Sequence, residues 1–120
     1  MERYFLDTYA LIEIIEGNKK FKDFLDSEII IIINNLVELD YYLLRTYNEK
    51  REYYKNFFYP FCKEILLEDI SRANDLKIKN KKLSYTDCLG YVIAKRLEIK
   101  FVTGDEGFRN LDNVKFTKKD

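Results

Sequence analysis

The sequence contains no histidine among its 120 residues. This absence excludes histidine-based catalytic triads and dyads, paired acid and base histidines, and most zinc sites. Cysteine is also scarce, because Cys62 and Cys88 fit neither a CxxC motif nor a disulfide framework. If the chain carries out hydrolysis, we expect carboxylates to do the chemistry, with a hard cation bound through oxygen ligands.

Long apolar segments are missing as well. The longest, Ile29 to Ile33, is far too short to span a bilayer, and no basic leader with an apolar core opens the chain. With two reduced thiols, these features predict a soluble cytoplasmic protein with no membrane association. Charge of one sign is also lacking, because 21 basic residues balance 21 acidic ones. This balance argues against a general nucleic-acid-coating protein, so any such contact must come from local patches.

The length predicts one domain over residues 1–120. A second domain would lack the residues for its own core, whereas a hydrophobic content of 47% supports one core without disulfides or a structural metal. Short strand-like runs alternate with helical periodicity along this domain. We expect strands at Arg3–Leu6, Glu28–Ile33, Lys100–Thr103 and Val114–Phe116, and a further edge strand at Glu64–Leu67.

Five consecutive isoleucines, residues 29–33, form the clearest of these strands. An unbroken β-branched run, rather than an alternating one, indicates a strand that is covered on both faces, as in parallel sheets. The alternation of strands with helices therefore predicts an α/β fold of three layers. In it, a mostly parallel central sheet of four to five strands is flanked by helices.

Helical periodicity predicts the segments between the strands. We expect helices from Thr8 to Gly17, over Lys19–Leu25, from a cap at Asn34-Asn35 to Tyr47 and on to Phe58, over Leu67–Lys79, from Ser84, and over Glu106–Leu111. In the helix capped by the two asparagines, the residues expected to face the core are Leu36, Val37, Leu39, Tyr41, Leu43 and Leu44.

Four acids fall where strands and helices of this fold meet. Asp7 ends the first strand, Glu38 lies in the first turn of the helix after the isoleucines, Asp87 begins the helix at Ser84, and Asp105 follows the strand that ends at Thr103. Each acid taken singly has a structural explanation, since Asp and Glu are favoured in helix caps and first turns. Ligands, however, bind beyond the carboxyl ends of parallel strands, and we expect these acids to gather there.

A cluster of carboxylates has a chemical use. Neighbouring carboxylates repel and raise each other's pKa unless a cation compensates. One or two Mg²⁺ or Mn²⁺ ions suit such an all-oxygen site and can activate a water against a phosphodiester. Thr8 and Thr103 are placed to orient neighbouring carboxylates by hydrogen bonding, although threonine is also common at strand ends for its β-propensity.

At these residues the sequence resembles the PIN-domain nucleases. The matching segments are Tyr4-Phe-Leu-Asp-Thr8, Leu36-Val-Glu38, Tyr85-Thr-Asp87-Cys-Leu-Gly-Tyr-Val-Ile-Ala94 and Phe101-Val-Thr-Gly-Asp105-Glu-Gly-Phe108. The resemblance implies a ribonuclease dependent on Mg²⁺ or Mn²⁺, with Asp7, Glu38, Asp87 and Asp105 as its catalytic and metal-binding acids. Glu106 could share or replace the role of Asp105. A domain this short is similar to VapC-type toxins, which implies a homodimer silenced by a small antitoxin.

Basic and aromatic residues are the candidates for contacts with partners. Phosphate contacts are expected from Arg45, Lys50, Arg51, Lys81 and Lys82, unless these side chains only form solvated faces. Tyr and Phe residues crowd the segment 41–59 beyond the needs of one buried stripe. Some should therefore be exposed, for a dimer or antitoxin interface or for stacking of bases, and tyrosine's role as an interface anchor favours the first.

Three other interpretations remain open. The chain could be a catalytically silent PIN-fold module that binds RNA or protein, or an RNA-processing nuclease that is not a toxin. A receiver-type phosphoacceptor domain also has a parallel α/β fold and an acidic Mg²⁺ site. That class needs neighbouring acids after the first strand and a lysine after the last inner strand, whereas Thr8-Tyr9 and Gly104-Asp105 stand at these places.

Overall fold

A computed structural model describes all of residues 1–120. Its centre is one sheet of four parallel strands: β1 (Arg3–Leu6), β2 (Glu28–Ile30), β3 (Lys100–Thr103) and β4 (Val114–Phe116). The strand order is β2-β1-β3-β4, and the register pairs Phe5 of β1 with Ile30 of β2 and with Phe101 of β3. The predicted α/β fold with a parallel central sheet is therefore confirmed.

Helices connect and cover these strands. They are α1 (Thr8–Ile15), α2 (Lys19–Lys22), α3 (Ile33–Thr46), α4 (Arg51–Phe58), α5 (Leu67–Lys79) and α6 (Tyr85–Arg96), with 3₁₀ turns at Asp23–Asp26, Asn48–Lys50, Tyr59–Phe61 and Glu106–Phe108. None of the helices combines the length and the apolar character that crossing a bilayer requires.

The core consists of two layers, one on each face of the sheet. Successive strand residues point to opposite faces, so Phe5 and Phe101 pack with α6, while Leu6 and Val102 pack with α1 and α3. Both faces of β1 and β3 are thereby buried, as the absence of polar alternation in these strands predicts.

The isoleucine run is divided among three structures instead of forming one strand. β2 ends at Ile30, Ile31 makes a single bridge to Cys62, and Ile33 is already helical. The bridge is held by the N–H of Ile31 donating to the carbonyl of Phe61 (3.1 Å) and the N–H of Lys63 donating to the carbonyl of Ile31 (2.8 Å). The pairing at this edge of the sheet therefore involves Cys62 and not Glu64–Leu67. The prediction of a strand at Glu64–Leu67 is wrong.

The start of α3 also differs from the prediction. Ile32 occupies the cap position, and the buried side chain of Asn35 accepts a hydrogen bond from the N–H of Ile32 (3.0 Å). The asparagine thus caps the helix from inside its first turn rather than from in front of it. Glu38 consequently lies in the second turn of α3, and not in the first.

One side of α3 is exposed contrary to prediction. Val37, Tyr41 and Leu44 are 66%, 61% and 47% exposed, whereas Leu36, Leu39 and Leu43 are buried. The three leucines alone fill the space against α1 and α4, and the next row of the helix, about 100° away, points to solvent. The apolar residues of α3 therefore form a stripe wider than the core needs.

Helices α5 and α6 are joined by a buried ion pair. Arg96 of α6 donates two hydrogen bonds of 2.9 Å to the fully buried carboxylate of Asp69 in α5. The same carboxylate accepts the N–H of Leu66, which caps the start of α5. Burial is the largest single effect and raises the pKa of Asp69, but the hydrogen bonds from Arg96 and Leu66, together with the charges of Arg96 and Arg72, hold the pKa below its ordinary value.

Candidate active site

Asp7 stands at the carboxyl end of β1 and is only 2% exposed. Its own N–H continues the sheet by donating to the carbonyl of Val102 (3.2 Å), which fixes the residue beside β3. Its side chain caps α1 by accepting the N–H of Ala10 at 2.8 Å. The acid is therefore held between two elements, with its carboxylate at the edge of the sheet where helix N-termini converge.

The surroundings of Asp7 disfavour its charge. Burial raises its pKa to about 8, and the nearby charges of Asp87 and, to a lesser extent, Asp105 act in the same direction. Hydrogen bonds from Thr103 and Ala10 lower the pKa without cancelling these effects. Burying a carboxyl that has no basic partner lowers the stability of the fold. Carboxyls of this kind are common at functional sites.

Asp87 lies in the first turn of α6 and extends the acidic cluster. Its N–H donates to the hydroxyl of Ser84, the cap of the helix, at 3.0 Å. Burial is again the largest cause of a raised pKa, to about 7, followed by the charges of Asp105 and Glu38. The electrostatic effects on Asp7 and Asp87 thus link all four predicted acids into one cluster.

A glycine allows α6 to approach the sheet so closely. A Cβ at Gly90 would lie 2.6 Å from the ring of Phe5 in β1, and 3.0 Å from that of Phe101 in β3. Gly90 follows Asp87 by three residues, nearly one full turn, so its close packing against β1 holds the start of α6 near the end of that strand.

Glu38 is exposed and is held by a chain of side-chain hydrogen bonds. The hydroxyl of Thr8 donates to its Oε1 at 2.6 Å, and the amide of Asn35 donates to Oγ1 of Thr8 at 3.0 Å. Thr8 therefore orients a carboxylate, as expected, and it does so for Glu38. Asn35 was missed by the sequence analysis, which treated it as a cap. Its bond to Thr8, which is 27 residues away along the chain, has no signal in the local sequence.

Asp105 follows β3 and caps the 3₁₀ turn after it. Its Oδ1 accepts the N–H of Gly107 at 2.9 Å, and its own N–H donates to the hydroxyl of Thr103 at 3.0 Å. Thr103 also lowers the pKa of Asp7, so its hydroxyl lies near the side chain of Asp7 and the backbone of Asp105. That Thr103 orients the carboxylates themselves stays a prediction.

Glu106 is engaged elsewhere. Arg109 donates to its two oxygens at 2.7 and 2.9 Å, and Lys118 lies 3.5 Å away. The hydrogen bond from Arg109 is the main reason that the pKa of Glu106 falls to about 2. The structure therefore brings Asp105, rather than Glu106, into the electrostatic surroundings of Asp7 and Asp87.

The donor set of the cluster fits Mg²⁺ or Mn²⁺, because every candidate ligand is a carboxylate oxygen. No three of its acids, however, are arranged closely enough to form a coordination shell as they stand. One oxygen of each of three acids, Glu38, Asp7 and Asp105, accepts a hydrogen bond from a hydroxyl or a backbone N–H. The acids are therefore neighbours that do not converge on one point.

The acidic edge is open rather than enclosed. None of the four acids lines a cavity, and the largest cavity, about 510 Å³, lies near the amino ends of β1 and β2, where Met1 and Ser27 line it. An open edge also suits a chain-like substrate better than a small enclosed molecule.

The predicted basic residues differ in their surroundings. Arg51 is bound to Asp40 through two hydrogen bonds of 3.0 and 2.7 Å, which, as the largest cause, lower the pKa of Asp40 to about 2. Arg45 and Lys50 lie over the rings of Tyr41 and Tyr47. Lys81 and Lys82, by contrast, are exposed in the loop that leads into α6 and Asp87.

A parallel α/β domain with acids gathered at the carboxyl edge of its sheet is the class that this structure defines. The family model of the PIN domain matches residues 4–114, and the chain therefore belongs to the PIN domain family. The family resemblance drawn from the motifs is thereby confirmed. A search of curated proteins found no significant match.

Two solved structures have a similar fold. A toxin–antitoxin complex from Klebsiella pneumoniae contains a chain 17% identical to this one, with a TM-score of 0.80, over 93% of this chain and 95% of that chain. VapBC2 from Rickettsia felis, bound to a DNA fragment from its promoter, contains a chain 16% identical, with a TM-score of 0.74, over 96% of this chain and 97% of that chain. At such identities, the likeness establishes a shared fold.

Proposed function

We propose that this PIN domain is a divalent-metal-dependent ribonuclease, the toxin of a VapC-type toxin–antitoxin pair in the cytoplasm. The observation that supports the chemistry best is the electrostatic linkage of Asp7, Glu38, Asp87 and Asp105 at one edge of the sheet. Asp7 and Asp87 have raised pKa values, and clustered acids of this kind are common where proteins bind cations.

In this proposal, Asp7, Glu38, Asp87 and Asp105 hold one or two Mg²⁺ or Mn²⁺ ions. When bound, the metal would supply a water acidified for attack on a phosphodiester and positive charge near the leaving oxygen. Thr8 and Asn35 orient Glu38, and the hydroxyl of Thr103 accepts the backbone N–H of Asp105. Ligation requires only that side chains turn from their present partners, since the backbone already gathers them.

The partners follow from the exposed surfaces and from the structural neighbours. RNA is the proposed substrate, because the acids lie at an open edge beside the exposed Lys81 and Lys82. The similar structures come from toxin–antitoxin complexes, which supports a small antitoxin as the partner that silences this chain. The exposed stripe of α3, formed by Ile33, Val37, Tyr41 and Leu44, supports a homodimer.

Cleavage of RNA by purified protein tests the proposal. We expect cleavage of total RNA with Mn²⁺ or Mg²⁺, and its abolition by EDTA, by Asp7→Asn and by Asp87→Asn, because each substitution removes a charged ligand but keeps the shape of the site. Asp26→Asn is the matched control, since Asp26 is exposed near the amino ends of the strands. Undiminished activity in either site variant would refute the assignment.

The lack of a ready coordination shell favours one other candidate, a PIN-fold module that binds RNA or protein without cutting it. That function predicts no cleavage by antitoxin-free protein at any concentration of Mn²⁺. A nuclease that processes RNA without being a toxin would instead cleave and leave cell growth unaffected. Growth arrest on expression, relieved by a co-expressed small partner, separates the toxin from both.

A further inference from the structure

Tyr85 is an exposed aromatic residue two positions before Asp87. Its side chain begins α6 and is 60% exposed, whereas Tyr91, Phe101 and Phe108 close to the same helix are buried. The core therefore does not explain this ring. A large aromatic ring kept in solvent at the start of the helix that carries Asp87 is a candidate for contact with a ligand.

Lys77 contacts one face of the Tyr85 ring and helps to hold it in place. The ammonium group of Lys77 donates hydrogen bonds to the carbonyls of Leu83 (2.6 Å) and Lys81 (3.2 Å). It lies 4.7 Å from the centre of the Tyr85 ring, close enough for a cation–π interaction. One face of the ring thus rests on a fixed cation, and the ring is ordered before any ligand arrives, which reduces the entropic cost of binding.

The surface around the ring is basic. A depression of about 320 Å³ is lined by Tyr85 and Lys77 together with Asn74, Ile78 and Lys81. Between Leu76 and Ser84 the chain has four lysines and no acid. Two other exposed tyrosines have different surroundings, because Tyr59 shares a depression with Asp40 and Glu52, and Tyr53 packs on Tyr54 and Phe57.

We propose that Tyr85 and Lys81 form a subsite for one nucleotide of a single-stranded RNA substrate, on the opposite side of the start of α6 from Asp87. The base stacks on Tyr85, and its phosphate lies near Lys81, as in other aromatic and basic surfaces that bind single strands. This inference rests on the proposed function and adds where the substrate chain runs. Residues two apart on a helix point about 200° from each other, so the subsite and Asp87 lie on nearly opposite sides of the start of α6, and the subsite contributes to binding rather than to chemistry.

Binding of RNA in the absence of cleavage tests the subsite. The Asp7→Asn protein binds a fluorescein-labelled, random-sequence single-stranded RNA, followed by anisotropy at several salt concentrations. We expect Tyr85→Ala in this background to raise Kd about tenfold, whereas Tyr85→Phe changes it by no more than about twofold, because stacking needs only the ring. Lys81→Ala should reduce the slope of log Kd against log salt by the amount that corresponds to about one lost phosphate contact.

Tyr53→Ala is the control, since Tyr53 is 66% exposed outside the basic depression, and it should leave Kd unchanged. In the active protein, Tyr85→Ala should raise KM and leave kcat unchanged. An unchanged Kd for Tyr85→Ala, or an equal loss for Ala and Phe, would overturn the stacking subsite while cleavage still supported the nuclease. A native protein that neither binds nor cleaves RNA would overturn both proposals.

Discussion

At the scale of single residues, each acid of the site has a structural duty as well as a proposed chemical one. Asp7 and Asp105 cap the elements that follow them, and Asp87 lies in the capped first turn of α6. The same backbone geometry that needs a cap at the carboxyl end of a strand also points that side chain at the edge where ligands bind. The cap and the site are therefore two consequences of one position in the fold.

Thr8→Val tests whether the hydroxyl between Asn35 and Glu38 serves the site. Valine keeps the shape of threonine but cannot donate to Glu38 or accept from Asn35. We expect a loss of roughly 10- to 100-fold in Mn²⁺ affinity or cleavage, the usual effect of removing a residue that orients a metal ligand. Metal titration and initial rates measure it.

Two variants accompany this test. Thr8→Ser keeps the hydroxyl and should retain activity, and Thr46→Val removes an exposed hydroxyl that only binds the carbonyl of Tyr42. Full activity in Thr8→Val with an unchanged melting temperature would show that Glu38 needs no such support.

The acids were predictable from the sequence, whereas the residue behind them was not. A strand that ends in Asp, or a helix that begins with Ser-x-x-Asp, shows its geometry in consecutive residues. The role of Asn35 depends on Thr8, which is 27 residues away along the chain. No local pattern contains that distance, so only the folded arrangement of α1 against α3 exposes the contact.

At the scale of whole elements, regular periodicity was a reliable guide and the isoleucine run was not. Leu67–Lys79, Lys100–Thr103 and Val114–Phe116 have the predicted bounds, because signals at their ends agree with their periodicity. Five identical apolar residues have no period, so nothing in them shows that β2 ends at Ile30 and α3 begins at Ile33. The change of structure there depends on the cap from Asn35.

Asp69→Asn tests what joins α5 to α6. Removing one partner of a buried ion pair leaves Arg96 without its counter-charge, and we expect a loss of roughly 3–5 kcal/mol in the free energy of unfolding at pH 7. Urea denaturation measures it. Glu68→Gln is the matched control, because its pair with Arg72 is exposed and worth at most about 1 kcal/mol.

The same pair predicts a dependence on pH. Because the pKa of Asp69 is lower in the folded chain than its ordinary value of 3.8, its contribution is complete above that value. It is lost as the pH falls through the folded pKa, since the protonated acid no longer pairs with Arg96. The difference between wild type and Asp69→Asn should therefore shrink below about pH 4. A difference that stayed constant from pH 7 to pH 3 would exclude this origin.

At the scale of the whole molecule, binding of a divalent cation should be coupled to stability and to release of protons. Ions that bind only the folded chain raise its melting temperature. With pKa values of about 8 for Asp7 and about 7 for Asp87, these acids hold protons that a metal must displace. We expect Mn²⁺ to raise the melting temperature more at pH 8 than at pH 6, because raising the pH removes those protons.

Differential scanning fluorimetry with and without EDTA measures this effect. Asp87→Asn should lose most of it, and Asp26→Asn should keep it, since Asp26 lies near the opposite end of the strands. An equal stabilisation at both pH values, or one that survives in Asp87→Asn, would place the bound ion elsewhere on the chain.

The exposed stripe of α3 predicts the state of assembly. Ile33, Val37, Tyr41 and Leu44 recur at helical spacing on one row, and each is between 47% and 66% exposed. A C2 dimer would bury the same row on both copies, as a self-complementary interface requires. We expect Val37→Glu to convert a dimer to a monomer in multi-angle light scattering, because two like charges would face each other across the interface.

Ile78→Glu is the control, since Ile78 is 70% exposed on α5, outside the stripe. It should leave the mass unchanged. If both variants keep the wild-type mass, the stripe is not a dimer interface and is available to the antitoxin. In that case, Val37→Glu should weaken binding to a co-expressed antitoxin. Glu38 is adjacent to Val37 in α3, so a partner that covers the stripe would also border the acidic edge. Under the proposed function, such a partner would limit the access of RNA to the acids.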